Sequence, residues 1–385
     1  MNKKIKVIEL INTIVDAGAE TIVKDIILNI DQRKYDVYLL TESANSTKYA
    51  NVRAILEKNI NIFCVYPLAS GNFVNKLYRK LYQLLTPFSY RIKKQRDYIE
   101  SSIMEICPDV IHVHLQMLQY LIPISEFLKE KNIRLIYSCY TVPSRYFNDE
   151  SMKDNLRDAK YLVLNNNMRF TAMHESMKDD INQLFGLNNT VILRNGIDLS
   201  KYHDEISKSD ARKQLGVPAD SFLVGHLGRF VYIKNQRFLI DVFIEVLKYN
   251  KNAFLVMVGD GHDLKSIKNK LKQNGIENKY LILSHVDNLI WFYKALDVFV
   301  FPSLFEGIPN ACIEAQAAGL KCLISSTITK DVFFSPQAIP ANLADGPKAW
   351  ANLIVDNNSK GPYLNNIEEF DFSKISSTIG KLYSE

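Results

Sequence analysis

The sequence predicts an α/β protein of two doubly wound domains, each a parallel sheet covered by helices on both faces. Two observations predict it. At 385 residues the chain exceeds the length over which one hydrophobic core usually keeps growing. Short apolar or β-branched runs also alternate with helically periodic stretches almost throughout, the order expected of successive βα units. A content of 47% hydrophobic and 23% charged residues fits a folded chain and argues against general disorder.

In the first half, strands are expected at 6–12, 36–40, 62–65, 110–114, 134–140 and 161–164. Ile22, Val23, Ile26, Ile27 and Ile30 repeat at helical spacing between the first two. The segment VILRNGIDLSKYH, from Val191, carries an Asn195-Gly196 turn signal and is the expected crossing between domains. Beyond it, strands are expected at 222–227, 254–258, 280–285, 298–301 and 322–325. Phe238, Leu239, Val242, Phe243, Val246 and Leu247 mark one face of a helix among them, and Gly275 and Gly319 stand where helix C-caps would be. The last quarter, after Phe333, has no clear period.

Bulk chemistry narrows the class. The five cysteines are scattered, without CxxC or metal-ligand spacing, and read as reduced thiols. Glu9 and Asn12 interrupt the apolar start before a signal peptide could form, and no stretch is long and apolar enough to span a bilayer, so a cytoplasmic protein is expected. The net charge of +5 comes with no aromatic and basic pattern of a nucleic-acid module. From 72 to 96 the chain mixes Lys76, Arg79, Lys80, Arg91, Lys93, Lys94 and Arg96 with leucines and tyrosines. That segment suits either an anionic membrane surface or an ordinary amphipathic helix pair with a solvated basic face.

Open parallel sheets bind ligands beyond the carboxyl ends of their strands, so the loops following strands hold the candidates. Gly228 and Arg229 directly follow one strand, with Lys234 in the same stretch, GRFVYIKN, just before a helix. Two cations beside a helix N-terminus can neutralise a diphosphate without a metal, or they are simply solvated loop residues. In EGIPNACIEAQAAG, Glu306 falls in a loop and Glu314 inside the following helix, with Pro309 at the helix start and free N–H groups at Asn310 and Ala311. Such carboxylates can hold sugar or ribose hydroxyls, or merely favour the helix dipole. Gly18 lies after the first strand and either lets backbone approach a ligand or serves the turn. His112 and His114 share one side of the strand PDVIHVH, with His114 at its carboxyl end. There a histidine can bind a sugar hydroxyl or move a proton; a metal would need a third ligand, which the sequence does not point to. Gly259-Asp260-Gly261 reads as a tight turn after a strand. Neither GxGxxG nor GxxxxGK[ST] occurs in the required setting, which disfavours Rossmann dehydrogenases and P-loop nucleotidases.

Taken together, these segments resemble the retaining glycosyltransferases of family 4, which have the GT-B fold, and in particular their exopolysaccharide and capsule branch. EGIPNACIE resembles the family's E-x7-E element, GRFVYIKN its Arg and Lys pair, and VILRNGID its domain crossing. IEAQAAGLKCLISSTITKDV resembles the polysaccharide-biosynthesis branch. The resemblance implies two Rossmann-like domains facing across a cleft. The N-terminal one (1–193 plus 367–385, the last helix returning to it) would take the acceptor and the C-terminal one (194–366) the nucleotide-sugar. It implies that Arg229 and Lys234 hold the donor diphosphate, that Glu306 and the backbone of Gly307, Ile308, Asn310 and Ala311 meet the donor sugar, and that Glu314 holds the ribose. His285 and Val286 would lie by the base, Gly18 by the reacting centre, and His114 over the donor sugar beside the acceptor.

The implied activity is metal-independent, retaining transfer of a hexosyl or N-acetylhexosaminyl unit from a nucleotide-sugar, with UDP expected, to a lipid-linked saccharide. No cofactor is implied; peripheral contact with the inner face of the cytoplasmic membrane is an expectation of the basic segment 72–96, beside its reading as an ordinary amphipathic helix pair. Two rivals remain: a GT-B sugar-nucleotide epimerase, and a catalytically silent partner subunit that binds saccharide. This sequence departs from the family pattern twice. Ala17 stands where many relatives have glycine, and Cys139, Tyr140 and Thr141 stand where relatives often carry histidine or asparagine, which puts the acceptor in question.

Overall fold

The structure is a computed structural model that describes residues 3–15, 18–43, 50–66, 87–203, 205–286, 288–356, 358–361 and 366–385. The chain divides into two compact units, Met1–Gly196 with Ser373–Glu385, and Ile197–Phe372.

The described strands and helices of the first unit run β1 (Ile5–Thr13), α1 (Gly18–Asn29), β2 (Tyr35–Ser43), α2 (Ala50–Glu57), β3 (Asn61–Tyr66), α3 (Phe88–Ile106), β4 (Val110–His114), α4 (Ser125–Glu130), β5 (Arg134–Ser138), α5 (Pro143–Asn148), α6 (Lys153–Asn166), β6 (Arg169–Ala172), α7 (Glu175–Phe185) and β7 (Val191–Ile192). All seven strands pair in parallel, in the order β3-β2-β1-β4-β5-β6-β7. The direction of winding therefore reverses between β1 and β4, whose carboxyl ends lead to Gly18 and end at His114. Val23, Ile26 and Ile27 of α1 are buried against β1 and β2, as their helical spacing dictates.

The expected strand at 161–164 is a correction. Those residues lie in α6, whose buried positions Asn155, Asp158, Ala159 and Leu162 keep helical spacing. Leu164 is 81% exposed. The apolar run Tyr-Leu-Val-Leu thus spans several sides of one helix, and the strand sits eight residues later at Arg169–Ala172.

In the second unit the order is α8 (Lys208–Leu215), β8 (Phe222–Leu227), α9 (Gln236–Tyr249), β9 (Ala253–Val258), α10 (Leu264–Gln273), β10 (Tyr280–Leu283), α11 (Leu289–Ala295), β11 (Val298–Phe301), α12 (Asn310–Ala317), β12 (Lys321–Ser325), β13 (Ala338–Ala341) and α13 (Gly346–Val355). Its parallel sheet runs β10-β9-β8-β11-β12-β13, with the reversal between β8 and β11. Side chains alternate between two apolar layers. Val224, Leu255, Met257, Val298, Val300 and Leu323 pack with α9 and α13. Leu223, Val256, Val258, Phe299, Phe301 and Ile324 pack with α11 and α12. Burial on both faces is why these strands read as continuous apolar runs rather than alternating ones.

The last helix, α14 (Phe372–Ser384), sends Ile375, Ile379, Leu382 and Tyr383 into the core of the first unit, beside Val7 and Val37. Gly275 and Gly319 take φ of 65° and 77° just past α10 and α12, the left-handed turn of a C-cap.

Candidate active site

In the second unit the two loops at the sheet's reversal carry the charged candidates and are tied to each other. Leu304 N donates to Ile233 O at 2.8 Å, and Asn235 Nδ2 donates to Pro302 O at 3.2 Å. Lys234 Nζ lies 2.6 Å from Glu306 Oε1, both side chains being mostly buried. Ser303 Oγ donates to the same carboxylate at 3.3 Å, and the ammonium stands 4.8 Å from the Phe301 ring centre. The cation and carboxylate that the sequence separates by 72 positions thus meet across the switch point. Arg229, in the loop after β8, is exposed and has no carboxylate partner among the described residues.

That loop is held by groups not singled out in the sequence. His226 is fully buried, its Nδ1 2.9 Å from Val300 O. Burial draws it down to about 4, so it is neutral near pH 7, Nδ1–H donates to that carbonyl, and Nε2 accepts from the Gln236 amide 3.2 Å away. The same amide donates to Arg229 O at 2.8 Å. Behind the loop, a Cβ on Gly259 would fall 2.2 Å from Gly228 O and one on Gly261 2.3 Å from Phe230 O, at φ of 144° and 157°. Only glycines let the Gly259-Asp260-Gly261 turn back directly against Gly228–Phe230.

The N-terminus of α12 has no side-chain cap, with Pro309 before it, so its first N–H groups stay open. Asn310 Oδ1 is buried without a hydrogen-bond partner among the described residues, while Gly307 and Ile308 are buried in the approach to the helix. Glu314, one helix turn on, accepts from the Tyr293 hydroxyl at 2.7 Å. His285 is exposed and Val286 partly buried in the loop after β10, at the far edge of the sheet; His285 lies outside the strand expected to contain it, which ends at Leu283.

In the first unit, His114 is fully enclosed. Its Nε2 is 2.7 Å from Glu9 Oε2 and its Nδ1 2.6 Å from the Tyr140 hydroxyl, so both ring nitrogens are already engaged. Tyr383 of α14 donates to Glu9 Oε1 at 2.6 Å and lies 2.5 Å from His112 Nδ1. With its one proton on Glu9, that hydroxyl accepts from His112 Nδ1–H. His112 Nε2 then accepts from Ser138 Oγ at 2.7 Å, which accepts from Thr171 Oγ1 at 2.7 Å. Burial draws both histidines down to about 3 and pushes the Glu9 carboxyl up, opposed by His112 and by the Tyr383 hydroxyl. Glu9 supplies the third ligand-type group that the sequence did not point to, with all three groups' atoms within 4.8 Å. Every ring nitrogen has a hydrogen-bond partner, and the cluster is a complete proton-ordered network as it stands. Gly18 opens α1, with Ala17 outside the described residues.

The comparisons agree with this architecture. The model of the family "Glycosyltransferase Family 4" matches residues 17–201, and that of "Glycosyl transferases group 1" matches residues 207–334, most of the chain between them. EpsF of Bacillus subtilis (strain 168), assigned as a glycosyltransferase, is 28% identical over 91% of this chain and 86% of its own length. The UDP-Gal:alpha-D-GlcNAc-diphosphoundecaprenol alpha-1,3-galactosyltransferase of Escherichia coli is 33% identical over 35% of this chain and 36% of its own. Among solved structures, Anabaena Alr3699/HepE in complex with UDP and glucose superposes with a TM-score of 0.74 at 19% identity, over 99% of this chain and 100% of its own, a likeness of fold. With two parallel-sheet units of the GT-B type and both family models matched in sequence order, the chain belongs to the family 4 glycosyltransferases.

Proposed function

We propose that this glycosyltransferase moves a hexosyl or N-acetylhexosaminyl unit from a UDP-sugar to a lipid-linked saccharide in surface-polysaccharide assembly, with retention and without a metal. The observation that carries the donor assignment is the Lys234–Glu306 pair, closed across the switch point of the second unit beside the open α12 N-terminus and exposed Arg229. A diphosphate entering there meets two cations and a helix dipole, enough positive charge to hold it without an ion. Glu306, released from Lys234, then accepts from sugar hydroxyls, and Asn310 Oδ1 is a second free acceptor for them. Glu314 takes the ribose hydroxyls. UDP is favoured because the relative in Escherichia coli is named for UDP-Gal and the Anabaena structure holds UDP.

In the transfer, the bond from the sugar's anomeric carbon to the diphosphate breaks and the acceptor oxygen forms its bond on the same face. The acceptor proton passes to the departing phosphate oxygen, so no separate base is required. Arg229 and Lys234 stabilise the charge that grows on the leaving group.

The test is a thermal-shift screen of nucleotides and nucleotide-sugars in EDTA, with Lys234→Ala alongside. Stabilisation by one UDP-sugar, lost in the variant, is expected. No shift with any nucleotide would remove the donor assignment, and a shift appearing only after a divalent ion is added would remove the metal-free one.

Membrane contact is the second part of the reading. Among the described residues no helix is long and apolar enough to cross a membrane. The basic segment lies outside the described residues from 72 to 86; its remainder enters α3, where Lys93, Lys94 and Arg96 are exposed together with Tyr90 and Ile92. Such a face suits an anionic headgroup layer. Cosedimentation with anionic vesicles at low salt, lost at high salt, is expected; protein left in the supernatant at low salt refutes the contact.

A further inference from the structure

We propose that Tyr140 is the residue through which the first unit meets the acceptor saccharide, its hydroxyl turned into a hydrogen-bond acceptor by His114 and Glu9 behind it. The proposal rests on the functional reading above, in which the first unit takes the acceptor. Glu9, His112, His114 and Tyr383 are sealed from solvent and Ser138 and Thr171 nearly so; of the groups in this network, Tyr140 alone reaches the surface. It stands two residues beyond the carboxyl end of β5, on the ligand-binding edge of a parallel sheet. Its hydroxyl caps His114 Nδ1, with the two ring centroids 5.8 Å apart and 18° between their planes.

The direction of the hydrogen bonds follows from Glu9. Both of its oxygens are engaged, at 2.6 and 2.7 Å, and the bond from Tyr383 favours the carboxylate against the upward push of burial. As a carboxylate it accepts from Tyr383 and from His114 Nε2–H. Neutral His114 then has a bare Nδ1, which accepts the Tyr140 proton. The phenol oxygen also shares a hydrogen bond with the Ser138 side chain, and its remaining lone pair offers acceptance to an incoming sugar hydroxyl. Tyr140 is thus an acceptor-contacting residue, while His114, Glu9 and Tyr383 are positioning residues that set its polarity. Glu9→Gln reverses the chain of bonds: the Gln amide donates to His114 Nε2, Nδ1 carries the proton and donates to Tyr140, and the phenol turns outward as a donor.

Two measurements decide this. Nitrogen NMR of 15N-histidine-labelled full-length protein, with His114 assigned by His114→Gln, reads the tautomer: Nε2–H in the wild type and Nδ1–H in Glu9→Gln are expected. Kinetics with the UDP-sugar found in the thermal screen and an alkyl-diphosphate-linked N-acetylglucosamine probe read the contact. Tyr140→Phe should raise the acceptor KM about tenfold, the loss of one hydrogen bond, and should move the donor KM less than the acceptor KM. Melting temperatures confirm that both variants are folded. An Nδ1–H tautomer in the wild type, or an acceptor KM unmoved by Tyr140→Phe, overturns the proposal. A wild type that does not turn over the probe sinks the acceptor class proposed above instead, and the tautomer then decides the network by itself.

Discussion

Lys234 and Glu306 hold each other across the switch point, so each must change partner to bind a donor. Removing the carboxylate charge frees the ammonium for phosphate but strips the sugar of its acceptor. Glu306→Gln is therefore expected to keep or modestly tighten UDP binding, by calorimetric titration, while lowering the transfer kcat by about 10²-fold; weaker UDP binding would mean the pair is structural. The buried histidines give the chain a pH limit. His112 and His114 near 3, and His226 near 4, stay neutral in the folded chain, whereas the unfolded chain protonates them near 6.5. Their contribution is complete above about 6.5 and is lost as pH falls towards 4 and 3, at up to ~1.4 kcal/mol per pH unit for each. Glu9, raised by burial, opposes this but is one group against three. Melting temperature should fall steadily below pH 6.5, and a flat profile down to pH 4 would contradict it. At this scale the sequence showed the cations and carboxylates because they sit in loops after strands. It did not show Glu9, Tyr383, Gln236 or Tyr293, because a polar residue inside an apolar run carries no sign of its partner.

Among the elements, the turn after β9 is a rigid backing for the turn after β8. A Cβ at Gly259 must displace the carbonyl of Gly228, which adjoins Arg229, at a φ that other residues rarely adopt. Gly259→Ala should lower the melting temperature by about 5 °C or more and weaken UDP binding in parallel. A loss of stability with UDP affinity intact would separate this turn from the donor site. The elements that were hard to read have local causes. The 161–164 run is apolar without strand alternation because it wraps around α6. β13 was unread because its four residues include Pro340, a residue kept to sheet edges, and β13 is the edge strand. β7 is two residues long and has no period at all.

For the molecule as a whole, α14 is the segment on which the first unit depends most from afar. Ile375, Ile379, Leu382 and Tyr383 are buried there. At about 1.5–3 kcal/mol for each large apolar side chain, losing them would cost an amount comparable to the stability of a whole domain. Deleting Ser373–Glu385 should abolish the first unit's calorimetric transition and leave that of Ile197–Phe372; two intact transitions would show that α14 is dispensable. By itself the sequence determined two parallel α/β units, the ends of most strands, the loops that carry Arg229, Lys234 and Glu306, and the helix that carries Glu314, because periodicity and strand-to-loop order are local properties. Only the tertiary structure decided that Lys234 meets Glu306, and that Tyr383 closes on Glu9 across 374 positions with His114 sealed beneath Tyr140. Parallel sheets place distant segments side by side, and hydrophobic spacing says which face a residue buries but not which neighbour it finds there.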